Sequence, residues 1–257
     1  MTSLRAWYRA HGRHDLPWRA TRDRWAILVS EVMLHQTQVP RVCAAWDAFI
    51  TRFPTPSAMA DAGPGAVIEA WGRLGYPRRA RRLWEAATVI DVHGWPDDLA
   101  SLPGVGRYTA NAVLAQAEDV DVPAVEVNVR RVVERVRGAR LTTRDAERAA
   151  VEIGAPLRGR DRLLALMDVG ALLCRPREPR CDACPLRGRC AARGPVDGET
   201  RASRQPAFAG SFRERRGTVL AALRRAPSAL AGLDADALAS LVDDGLAVVD
   251  GDLARLP

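Results

Sequence analysis

Lysine is absent: all 38 basic residues among the 257 are arginine. Without an ε-amine there is no side chain for Schiff-base chemistry, so mechanisms built on a lysine nucleophile are excluded. Aromatic residues make up only 5% and histidines number four. No apolar run approaches the ~20 residues of a membrane-spanning helix, so no membrane partner is expected. The N-terminus, MTSLRAWYRAHGRHDLPWR, has no apolar core followed by a cleavage site, so it is not read as a secretion signal. An intracellular, cytoplasmic protein is expected. Alternation of apolar and polar residues is nearly missing, which argues against a chain built from sheets.

What is present is unevenly spread. Four of the five cysteines fall between Cys174 and Cys190, and in an intracellular protein such clustering points to metal ligation before disulfides. The spacing is Cys174-x6-Cys181-x2-Cys184-x5-Cys190. A set of thiolates alone suits tetrahedral Zn²⁺ or a [4Fe–4S] cluster, and spacing does not choose between them. Cys43 stands apart on an apolar helix face and reads as core. Residues 199–257 carry eight arginines and eight carboxylates, so the whole formal excess of +7 lies in residues 1–198. A nucleic-acid footprint has that asymmetry, as does a solvated basic surface.

Apolar periodicity predicts helices over much of the chain. They fall near Leu4–Tyr8, 24–38, 42–52, 57–62, 64–71, 78–92, 97–101, 107–117, 129–137, 143–155 and 160–173, most of them punctuated by Pro or Gly. The class is all-α as far as residue 173. Residues 194–210 are small and polar enough for a linker. Beyond them, two helices (211–225 and 234–243) and an Asp-Gly hairpin at 247–253 have the make-up of a miniature winged-helix unit, or of a packing appendage.

One stretch organises the rest. Leu102-Pro103-Gly104-Val105-Gly106 reads as a tight turn between two helices: Pro103 stops the first, and the glycines allow positive φ and a bare backbone. The helix beginning at Arg107 then offers unpaired N–H groups to an anion such as a phosphate. Downstream, Glu126 sits among Val125, Val127 and Val129, with Asn128 able to orient it or simply to cap the helix. Upstream, Glu31 interrupts the most apolar helix of the chain, where a carboxyl either caps or pairs with an arginine, or is neutral and able to donate a proton. Gly75-Tyr76-Pro77-Arg78 opens a run of arginines that reads either as a solvated basic helix start or as a wedge, Tyr76, with Arg78 and its neighbours meeting phosphate. A phosphate clamp beside a partly buried carboxylate points to chemistry on a nucleic acid.

Together these landmarks resemble the helix-hairpin-helix base-excision superfamily, and within it the MutY-type adenine DNA glycosylases. The resemblance is carried by SEVMLHQTQV at 30–39, WGRLGYPRRARRL at 71–83, LPGVGRYTANAV at 102–113, NVRRV at 128–132, MDVGALLC at 167–174 and the four-cysteine spacing. It implies two lobes. One is a six-helix domain, 23–128, holding the hairpin; the other is an iron–sulfur domain made of 1–22 and 129–193, followed by the linker 194–210 and the appendage 211–257. It implies a [4Fe–4S] cluster on Cys174, Cys181, Cys184 and Cys190, with zinc as the alternative. Glu31 matches the general acid that protonates the adenine ring, and Glu126 matches the carboxylate that stabilises the sugar cation, with Asn128 in support. Tyr108 stands where the endonuclease III branch carries its lysine. Gln36 and Tyr76 match residues that wedge into the duplex as a nucleotide flips out. Arg78, Leu102, Gly104, Val105, Gly106 and Arg107 fall on the DNA-binding elements.

The expected activity is monofunctional removal of adenine opposite 8-oxoguanine or guanine, by a monomer on mismatched or damaged duplex DNA at the bacterial nucleoid. Uracil or thymine mismatch removal, or lesion binding without turnover, are the alternatives. In two respects the sequence departs from the family. The usual aspartate is Glu126, one methylene longer. The neutral C-terminal segment is also smaller than the family's 8-oxoguanine-reading domain and lacks its Phe-Ser-His type motif.

Overall fold

The computed structural model describes residues 2–199 and 207–257. In chain order its α-helices are α1 (Leu4–His11), α2 (Arg24–Leu34), α3 (Val39–Arg52), α4 (Pro56–Trp71), α5 (Arg78–His93), α6 (Arg107–Glu118), α7 (Val127–Arg137), α8 (Thr143–Gly154), α9 (Gly159–Asp168), α10 (Phe212–Leu223) and α11 (Ala235–Asp243). Contacts gather them into two units, 1–28 with 106–203 and 29–105 with 204–257. No described helix is long and apolar enough to cross a membrane.

In the first unit, Leu4, Trp7 and Tyr8 share one face of α1 at helical spacing and pack with Val129, Val132, Val133 and Val136 of α7. Ser3 starts α1 by accepting the Ala6 N–H at 3.2 Å. Valine is a poor helix former, costing about 0.5 kcal/mol each in α7. Burial returns roughly 1.5 kcal/mol per side chain, so packing and not propensity holds this helix. Ala146, Ala149, Ile153, Leu164 and Leu166 of α8 and α9 complete the core.

After α9 the backbone widens into one π-helical turn, Val169–Leu173, in place of the α-helix predicted to run through residue 173. Gly170 lies in that turn because a Cβ there would stand 2.7 Å from the Cβ of Asn128 and 2.8 Å from its carbonyl oxygen. The start of α7 is thereby pressed against the turn that leads into the cysteines. Of the expected linker, Val196 is buried and Glu199 pairs with Arg135 of α7 at 2.7 Å, while residues 200–206 lie outside the described residues.

In the second unit, Phe49 meets Phe53 and Trp71 edge-on at centroid distances of 5.0 and 5.7 Å, among buried Met59, Ile68 and Leu83. The two helices predicted over 57–62 and 64–71 are the two segments of α4, separated where Gly63 leaves the helical region (φ 78°, ψ 163°) ahead of Pro64. The C-terminal segment contributes α10, α11 and an antiparallel sheet of order β1-β3-β2, with β1 Ser228–Ala229, β2 Val248–Asp250 and β3 Leu253–Arg255. The predicted hairpin is β2–β3, turning at Gly251 (φ 57°), with Val249 opposite Ala254. β1 is too short to show periodicity and closes a winged-helix-like arrangement. Arg224 Nε donates to the Ile68 carbonyl at 3.1 Å, and Arg81 donates to Gly245 at 2.5 Å, so this segment seats on α4 and α5.

Candidate active site and cysteine loop

Glu126 is the N-cap of α7. Its Oε1 accepts the Val129 N–H at 2.9 Å; its Oε2 accepts the Asn128 N–H at 2.7 Å and Asn128 Nδ2 at 2.9 Å. Burial pushes the carboxyl above the ordinary 4.5, against the opposing pull of those amides, of Arg131 and of the Asn128 side chain. Both carboxylate oxygens thus fold back onto the helix start. Asn128 Oδ1 accepts Arg131 at 2.7 Å, and Arg131 continues to the carbonyls of Gly170 at 2.8 Å and Cys174 at 2.5 Å. A line of hydrogen bonds therefore runs from Glu126 to the first cysteine. Sequence reasoning missed Arg131, because nothing local separates it from the other arginines of α7.

The four cysteines line one apolar cavity with Val132, Val136, Val169, Leu173 and Leu186. One 3₁₀ turn spans Cys181 to Cys184, and another runs from Arg187 to Cys190. Arg135 lies 3.6 Å from the Cys174 sulfur through its guanidinium, and its carbonyl accepts the Cys190 thiol at 3.3 Å. Burial raises the Cys184 thiol to about 11 and Cys174 in the same direction. A donor set of thiols alone, walled by aliphatic side chains with guanidinium charge at its edge, is chemically suited to a thiolate-bound group. Among the described residues, however, no three of His, Cys, Asp and Glu converge as the ligands of a single ion would.

Glu31 lies on α2, 3% exposed, with Ser30 and Met33 beside it fully buried. It belongs to the second unit and Glu126 to the first. Gln36 and Tyr76 both sit in turns, exposed, with left-handed backbones at φ 55° and 47°. The helix predicted to reach Gln38 instead ends at Leu34. Arg78 is exposed and pairs with Asp244 at 3.3 Å. In the hairpin, Leu102 and Val105 are buried. Gly104 has φ 76° and would bring a Cβ within 2.8 Å of Arg82 Cβ. Gly106 caps α6 with no side-chain hydrogen bond and open space around its missing Cβ, leaving the first-turn amides accessible. Arg107 pairs with Glu147 at 2.9 Å while remaining largely exposed. Tyr108, half-buried, packs near Ala112, Ala115, Ala124 and Leu163.

Sequence reasoning also passed over Asp168. Its carboxylate is fully buried and takes both terminal nitrogens of Arg19 at 2.7 and 2.8 Å, with the Nε and N–H of Arg13 at 2.6 and 2.9 Å. Burial works to raise its pKa, but the hydrogen bonds and charge of Arg19, joined by Arg13, outweigh it and hold the carboxyl below 3.8.

Comparison with known proteins agrees with this architecture. Residues 29–156 match the family described as HhH-GPD superfamily base excision DNA repair protein. An adenine DNA glycosylase of Mycolicibacterium smegmatis is 46% identical over 233 residues, 86% of this chain and 79% of that protein. One from Mycobacterium tuberculosis is 44% identical, covering 98% of this chain and 92% of its own length. Among solved structures, a thermostable thymine-DNA glycosylase superposes with a TM-score of 0.67 at 28% identity, over 74% of this chain and 93% of that one. Endonuclease III in a non-covalent DNA complex shares the fold, with a TM-score of 0.62 at 22% identity over 74% and 91%. Identity at this level, sustained across most of both chains, is kinship of family: this protein belongs to the adenine DNA glycosylases of the helix-hairpin-helix base-excision superfamily.

Proposed function

We propose that this protein hydrolyses the N-glycosidic bond of adenine mispaired with 8-oxoguanine or guanine in duplex DNA, leaving an abasic site. The observation that carries the reading is the desolvated carboxylate of Glu126, aimed by its own helix amides, in a chain whose relatives are adenine DNA glycosylases. Glu31 donates the proton that makes the adenine ring a leaving group. Its place on α2, 3% exposed among apolar neighbours, supports that role, since a general acid works best shielded from bulk water. As the bond breaks, the sugar gains positive charge and the Glu126 carboxylate stabilises it. The hairpin amides hold backbone phosphate, while Gln36 and Tyr76 fill the space the extruded nucleotide leaves. No lysine exists to form an imine with the sugar, which supports a glycosylase that cuts no strand. The enzyme acts as a monomer, at the nucleoid of a bacterial cytoplasm.

Incubation of enzyme in excess with an A:8-oxoguanine duplex, followed by hot alkali, tests this. Cleavage at the adenine is expected after alkali and not before it. Glu31→Gln is expected to lower the rate by roughly 10²–10⁴-fold. No product above background from the wild type overturns the assignment. The structural likeness to a thymine-DNA glycosylase supports one second reading, pyrimidine removal from mismatches with guanine. A panel of mismatched duplexes separates the two.

Cys174, Cys181, Cys184 and Cys190 would hold a [4Fe–4S] cluster, which supplies a rigid anionic anchor for the loop when bound. A lone zinc ion at about 2.3 Å from each sulfur draws four thiolates to within roughly 4 Å of one another. Four thiols lining one apolar cavity support a thiolate-bound group. Absorbance near 400 nm with stoichiometric iron is expected; colourless protein containing zinc overturns it.

A further inference from the structure

Arg79, the second residue of α5, spends its whole guanidinium on neutral acceptors. One terminal nitrogen donates to the carbonyls of Val32 at 2.8 Å, Met33 at 3.0 Å and His35 at 2.5 Å. The other reaches Thr37 Oγ1 and the Gly75 carbonyl, both at 2.9 Å. Val32 and Met33 lie in the last turn of α2, where carbonyls have no partner within the helix and a cation meets the negative end of the dipole. The same group stacks between Trp71 and Tyr76, 5.1 and 5.5 Å from their ring centroids. Trp71 Nε1 donates to the Gly75 carbonyl as well, at 2.9 Å.

We infer that Arg79 is a positioning residue: one guanidinium binds the Gln36 turn to the Tyr76 turn, so that both wedges enter the duplex as a single rigid tooth. The inference rests on the proposed wedging by Gln36 and Tyr76 and adds the part that holds them.

Each turn keeps a non-glycine residue in the left-handed region, a conformation that L side chains resist and surrounding contacts must maintain. The acceptors that fix the two turns converge on Arg79 from both sides. Burial lowers its pKa to about 10, so it remains charged at neutral pH. A planar fork of five N–H donors can satisfy diverging carbonyls at once; a lysine ammonium, a point charge with three donors, cannot. Arg79 also closes the helix on which Glu31 rides, so wedge and acid share one support.

The test uses the full chain with Arg79→Ala and Arg79→Lys. Hydrogen exchange in the DNA-free protein is expected to speed up at least tenfold in residues 34–38 and 73–77 together, with α4 core amides such as Val67 unchanged. In single-turnover assays both variants are expected to lose at least tenfold in rate on a fully stacked A:8-oxoguanine duplex. The loss should shrink below threefold on a substrate whose target adenine lies in an unpaired bulge, already largely unstacked. Exchange that rises in one turn only, or in neither, overturns the clamp. Equal rate losses on both substrates overturn its role in extrusion. A wild type inert on every adenine substrate sinks the parent reading instead, and the exchange pattern still decides whether Arg79 joins the turns.

Discussion

Glu126 and Asp168 are both desolvated carboxylates, yet their surroundings push them in opposite directions. Around Glu126, burial outweighs the amides and Arg131, so its pKa lies above 4.5. If the ionised form stabilises the sugar cation, the single-turnover rate climbs with pH through a midpoint above 4.5, and Glu126→Gln removes that limb from the pH–rate profile. Asp168, by contrast, is held below 3.8 by Arg19 and Arg13. A depressed carboxyl contributes stability in full above its unfolded pKa and loses it as pH falls through the folded value. Asp168→Asn leaves two guanidiniums facing a neutral amide, an expected loss of about 3–5 kcal/mol in urea unfolding at neutral pH. Below pH 3.8 the gap between wild type and variant should narrow; a gap that stays constant to lower pH contradicts this account of the site.

The hairpin separates what folding needs from what binding needs. Gly104 combines φ 76° with a Cβ position 2.8 Å from Arg82, so Gly104→Ala meets both backbone strain and a clash. It should destabilise the protein by roughly 1–3 kcal/mol and weaken duplex binding as a consequence. Gly106 has φ −93° and nothing within 4 Å of its missing Cβ. Gly106→Ala should cost less than about 1 kcal/mol in stability while lowering duplex affinity, because the added methyl stands in the open space beside the α6 amides proposed to hold phosphate. Chemical denaturation beside duplex titration distinguishes the pair, and unchanged affinity in Gly106→Ala removes the hairpin from the DNA contact. The motif marks both glycines alike in sequence; only backbone conformation and neighbours reveal that they do different work.

In the first unit, the cysteine loop and the start of α7 are joined by packing at Gly170 and by Arg131, which reaches from Asn128 to the Cys174 carbonyl. Loss of the group proposed for the loop should therefore be felt at Glu126. Cys184→Ser is expected to lose absorbance near 400 nm and to unfold at lower denaturant. Hydrogen exchange at residues 126–130 should quicken as well, leaving the Phe49–Trp71 core of the second unit protected. Unchanged exchange at the α7 N-terminus would show that the line of hydrogen bonds carries no load.

Much of this protein was legible in its order of residues. Helices declare themselves through apolar spacing and Pro or Gly punctuation, the gathering of four cysteines through their spacing, and the tight turn ahead of α6 through LPGVG. Each is a local signal, set by backbone sterics or by neighbours within a few positions. Arg79 and Asp168 were not legible. Arg79 stands in a run of like arginines and Asp168 in an apolar stretch, and their partners lie 44 and 155 residues away along the chain. Which guanidinium turns inward, and which carboxylate is neutralised in the core, follows from where packing leaves orphaned carbonyls and charges out of water. Folding alone creates those vacancies, because desolvation is a property of the assembled interior and not of any segment.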